Sequence, residues 1–141
     1  MNLWVGGFAG YDGYYSGGDN RTYGGSVWRV YLRMSEMQDP GPAMTWLLMD
    51  MREDSIDWGN FVTDMRGWPD APGQTGFYDL PASYHHRAGG LSFVDGHAEI
   101  KRWLDNRTMR PLVPDGLVPD QFSSPNNMDV VWLQQRATRR K

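Results

Sequence analysis

Asp95-Gly96 stands between two short runs, 90–94 and 97–102, that alternate apolar and polar residues well enough to be strands. Asp-Gly between such runs is a strong local signal for a β-hairpin, because a tight primed turn needs positive φ at both central residues. All three histidines, His85, His86 and His97, fall within a few residues of that pair. A hairpin carrying the whole imidazole complement of the chain is therefore expected.

At 141 residues the chain fits one domain, residues 1–141, large enough to bury a core without disulfides. With no cysteine, thiolate metal sites and a cysteine nucleophile are excluded. A net charge of −3 argues against nucleic acid as the main partner. No run reaches the roughly 20 apolar residues of a membrane span, and residues 1–7 lack the basic and apolar regions of an export signal, so no membrane partner is expected for this helix-less chain.

Residues 1–25, with Gly-Gly at 6–7, 17–18 and 24–25, favour loops. Residues 26–32 read as an extended segment or first strand. The run 44–49 is apolar throughout and short enough for a strand buried on both faces. Residues 60–65 form a further strand candidate. Asn126-Asn127 are helix caps, with Met128, Val131 and Trp132 spaced for one face of a closing helix. The basic end, 136–141, reads as a solvated tail. The expected class is α+β and β-dominated, an antiparallel sheet with long loops and a short C-terminal helix.

His85, nine residues, then Asp95-Gly96 is the His-x9-Asp-Gly spacing, and the chain resembles the prepilin-type group of bacterial pilin-like proteins that carries it. Other stretches fit the same group: Thr45-Trp46-Leu47-Leu48-Met49-Asp50, Asp54-Ser55-Ile56-Asp57-Trp58-Gly59, Tyr78-Asp79-Leu80-Pro81-Ala82-Ser83-Tyr84-His85, and the ending Asn127-Met128-Asp129-Val130-Val131-Trp132. The resemblance implies the globular head of a pseudopilin of the type II secretion or type IV pilus kind. It also implies a periplasmic or cell-surface location and, for the full-length form, packing with other pilin subunits. Two departures stand out. Met51 occupies a position where the group often has Glu, and the long apolar helix expected at the N-terminus is not in this sequence.

Three chemistries follow from the residues themselves. His85 and His97 with one carboxylate from Asp50, Asp54 or Asp95 would give three ligands and an open position. Such a set suits Zn or Mn, whereas carboxylate with carbonyl oxygens suits Ca. A water activated there, with Glu53 or Glu99 as base, would make a small hydrolase of esters or phosphoesters, and Asp54, Glu53 and His85 are its catalytic candidates. Without metal, Glu53 and Asp54, or Asp57 and Asp64, could flank a glycosidic bond if their carboxyl groups lie roughly 5–10 Å apart. Trp46, Trp58, Trp68 and Tyr78 would then be stacking platforms for a carbohydrate or another small molecule, as they would in a plain carbohydrate-binding module. Against all three stands a structural role, with Asp95 serving its own turn and the histidines satisfying backbone groups.

Overall fold

Two strands meet at the Asp-Gly pair, as expected, but the turn between them is built differently. In the computed structural model, which describes residues 1–6, 27–57, 59–119 and 121–141, β3 (Ala88–Phe93) and β4 (Ala98–Arg102) pair antiparallel. Phe93 N–H donates to His97 O at 2.9 Å and Gly96 N–H to Phe93 O at 3.0 Å. The loop is thus three residues long, and only Gly96 takes a positive φ, +95°. A three-residue loop with its last residue left-handed is the next commonest hairpin after the two-residue primed turn. The pair of consecutive left-handed residues lies instead at the other end of β3, at His86 (φ 51°) and Arg87 (φ 70°), where His85 N–H donates to Ala88 O.

β1 (Trp46–Met49) adds to the other side of β3, giving the order β1-β3-β4 with both pairings antiparallel. A second, two-stranded sheet joins β2 (Gly76–Phe77) to β5 (Phe122–Ser123). The described residues are β-dominated, with antiparallel sheets and one short C-terminal α-helix, α1 (Met128–Gln134). No described helix is long and apolar enough to cross a membrane.

Three expectations are corrected, and for residues 26–32 only the extended segment, not the strand, is met. β1 is not buried on both faces: Trp46 is sealed, but Leu48 is 52% exposed, because only one side of this sheet is covered by core. Residues 60–65 make no strand; Phe61 forms a single bridge to Asn2, and the segment is otherwise held by side chains. Within 26–32, Ser26 lies outside the described residues, and the rest makes isolated bridges, Trp28 to Arg140 and Tyr31 to Val5. The basic end is no solvated tail. Ala137 and Thr138 are fully buried, and Lys141 N–H donates to Val27 O. Its arginines lie over aromatic faces, Arg140 on Trp28 and Arg139 on Trp68, and the Arg139 guanidinium also donates to Asp39 Oδ1 and Gln135 O. Of the 1–25 loop region, residues 7–25 lie outside the described residues.

The helix also buries a different face from the one its apolar residues mark. Asp129, Val130, Leu133 and Gln134 are inside, whereas Met128 is 63% exposed. Asn127 caps it as expected, its side-chain oxygen accepting from Asp129 N at 2.9 Å and Val130 N at 3.3 Å. The main core joins Trp46, Phe61, Phe77, Leu80, Leu91, Phe93, Trp103, Val130 and Leu133, so the helix is packed against the inner side of the sheet.

Candidate functional site

The hairpin tip is an open site built by its own turn. Asp95 Oδ1 accepts from His97 N at 3.1 Å and lies 2.6 Å from His97 Nδ1. The His97 ring stacks on Phe93 with centroids 4.3 Å apart and planes 9° from parallel. The hydrogen bonds from His97 hold the Asp95 carboxyl below the usual carboxylate range. Both side chains remain exposed. An aspartate that bonds a backbone N–H two residues on is the common local use of Asp in turns.

His85 does not join this pair. β3 separates them: five steps of about 3.3 Å put Ala88 and Phe93, the two ends of the strand, about 17 Å apart. The x9 spacing therefore spans the length of one hairpin arm. Asp50 takes a third position, at the far end of β1, where its Oδ2 accepts from Gly90 N at 3.0 Å. A Cβ on Gly90 would stand 2.8 Å from that oxygen, so the close approach depends on glycine. Among the described residues no group of three or more His, Asp or Glu is arranged to hold a metal ion.

The carboxylates expected to do acid–base work are also dispersed. Glu53 is exposed and accepts from the Tyr84 hydroxyl. Its neighbour Asp54 is 3% exposed and closed in by Arg52, with Nε–Oδ1 and Nη2–Oδ2 both 2.5 Å. Val113 N–H donates to the second oxygen at 2.7 Å, and Arg52 donates further to Arg110 O and Pro111 O. Arg52 foremost, helped by Val113, holds the Asp54 carboxyl below its ordinary range against the opposing effect of burial. A carboxylate so fully used ties the 110–118 segment to the turn Glu53–Ser55; it has no oxygen left for a substrate.

The stacking platforms fare likewise. Trp46 is fully buried, edge-on to Phe61 at 5.6 Å, and cannot meet a ligand. Tyr78 is half-buried beside Ser55, Asp57 and Asp79. Trp58 lies outside the described residues.

What the side-chain types did not announce is a buried polar knot around the helix start. Asp129, fully buried, accepts from Leu104 N at 3.0 Å, Asp105 N at 2.9 Å and Thr108 Oγ1 at 2.9 Å, with Lys101 Nζ at 3.6 Å. Asn127 donates to Ser124 Oγ and Thr108 Oγ1 while it caps the helix. Gln134 donates to Asp64 O and Arg66 O. The polar residues at 127, 129 and 134 are the only hint in the sequence, since each sits on the side of the helix turned inward.

Among the described residues a concavity lies elsewhere, on the outer face of the β1-β3-β4 sheet. It is an open groove of ≈ 530 Å³ floored by Gly90, Ser92 and Ala98 and walled by Leu48, Asp50 and Ile100. Comparison with known proteins returned no match to a family model, a curated protein or a solved structure.

Proposed function

We propose that this chain is the globular head of a pilin-like or pseudopilin protein, acting at the cell surface or periplasmic face through binding and assembly. The supporting observation is how the His85-x9-Asp95-Gly96 interval is used. It covers one arm of a hairpin, and its polar groups are spent on the turns at the two ends of that arm: Asp95 on the His97 N–H at one, His85 N–H on Ala88 O at the other. A motif employed in this way marks a scaffold. The buried charges speak for the same reading, since Arg52, Asp54 and Asp129 are spent on bonds to protein groups. Exposed loops and the open sheet face are then the surfaces offered to partners, in the full-length form other pilin subunits.

Genomic DNA upstream of the Met1 codon tests this reading. An in-frame leader followed by a long apolar helix is expected; an in-frame stop immediately upstream with no such segment contradicts it.

A further inference from the structure

β4 is an edge strand, and its open side is complementary to itself. β3 borders it on one side, and among the described residues no strand borders it on the other. Phe93 N–H bonds His97 O and Trp103 N–H bonds Arg87 O, with Leu91 opposite Glu99 and Gly89 opposite Lys101. In an antiparallel ladder alternate residues face the partner, so His97, Glu99, Lys101 and Trp103 point their backbone groups at β3. Ala98, Ile100 and Arg102 point theirs outward. Arg102 O bears this out, because it accepts from Lys101 Nζ at 2.6 Å on that side.

We propose that a second copy of this chain docks here, β4 against β4, antiparallel about a two-fold axis through Ile100. In that register Ile100 faces Ile100 of the second copy, Ala98 faces Arg102, and Glu99 faces Lys101 on both sides of the axis. The outward N–H and C=O groups of all three residues then find partners, the Arg102 carbonyl exchanging its bond to Lys101 for one to Ala98. Opposite charges directly across a ladder are stabilising and like charges destabilising. Charge also selects the register: a slip of two residues either way sets Glu99 against Glu99 or Lys101 against Lys101. An isolated edge is commonly protected by charged residues, but here the charges alternate in sign about the central residue and so invite the same strand.

The side chains agree with the backbone. Ile100 is 72% exposed and Leu48 52%, on the same outer face of the sheet. Pairing would bring two such isoleucines together and continue the groove across a six-stranded sheet. The geometry is that of an isologous contact, in which one patch serves both partners. Lys101 already meets Asp129 and the faces of Trp103 and Trp132, so its ammonium is held at the strand where Glu99 of the second copy would arrive. This inference stands independently of the pilin-like reading.

Sedimentation velocity on the full chain from low to high micromolar concentration tests it. A reversible monomer–dimer equilibrium is expected. Ile100→Lys and Glu99→Lys, both at exposed positions, should each weaken it about tenfold or more through like-charge contacts. The double exchange Glu99→Lys with Lys101→Glu should restore it, and equimolar Glu99→Lys and Lys101→Glu chains should form a heterodimer. Because Lys101→Glu also touches Asp129, Glu99→Lys and Ile100→Lys decide the matter alone. A wild-type chain monomeric throughout the range, or a dimer that both variants leave intact, overturns the proposal.

Discussion

Arg52 and Asp54, and Asp95 and His97, are both acid–base pairs two residues apart, yet they do opposite kinds of work. The first is sealed, with every carboxylate oxygen bonded and the guanidinium fork reaching two further carbonyls. The second stands in water at the tip of a hairpin, its carboxylate serving the turn beneath it. Identical spacing thus gives a cross-chain clamp in one place and a local turn in the other. What differs is burial, and burial decides the energetics. Removing one partner of a buried pair strands the other charge without water, whereas an exposed pair is screened and contributes little.

That contrast can be broken most forcefully at Arg52. Arg52→Ala leaves Asp54 uncompensated and frees the 110–118 segment, and is expected to cost about 3–5 kcal/mol in urea unfolding. Asp129→Ala should cost about 3 kcal/mol by the same method, since three donors lose a fully buried charged acceptor. A cost below ~1 kcal/mol at either position would mean that buried charge does not hold this fold together. Asn127→Ala should cost about 1–2 kcal/mol, read as loss of helical circular dichroism at lower denaturant than wild type. Gly96→Ala should cost about 1 kcal/mol because φ is +95° there, although a Cβ would meet no atom within 4 Å.

The pH dependence follows the clamp as well. The Asp54 carboxyl has a lowered folded-state pKa, so the native state holds its proton less tightly than the unfolded chain does. The stability this supplies is fully present above the unfolded value of about 4 and is lost as pH falls through the lower, folded value. Unfolding midpoints measured between pH 7 and acid should therefore decline in the wild type below about pH 4, and decline less steeply in Asp54→Asn. Parallel declines in the two proteins would assign the acid sensitivity to other groups.

Much of the fold was legible because it rests on local signals. The hairpin at Asp95-Gly96, the strand over Trp46–Met49 and the Asn127 cap are each announced by residues within a few positions of one another. Even there the turn type was not, since Asp-Gly suits both a two-residue primed turn and a three-residue loop, and the hydrogen bond from Gly96 to Phe93 O distinguishes them. Nonlocal facts were out of reach. Nothing in Ala137-Thr138 indicates that Trp28 and Arg29 will cover them, and Met128 is as apolar as Leu133, though only Leu133 meets the core. The candidate site dispersed for a similar reason: nearness in sequence within an extended strand is distance in space, so His85 and His97 stand at opposite ends of β3. β4 formed where the alternation placed a strand, but with its faces reversed from what apolarity suggests: Ile100 is 72% exposed, and Lys101 lies on the inner side.

Urea unfolding of Asp54→Ala and Asp95→Ala beside the wild type, at neutral pH, sets the two pairs against each other directly. Asp54→Ala is expected to lose about 3 kcal/mol or more of stability, while Asp95→Ala keeps its midpoint close to that of the wild type. An Asp95→Ala loss as large as that of Asp54→Ala would contradict the assignment of the buried clamp as structural support and of the hairpin tip as a solvent-exposed turn.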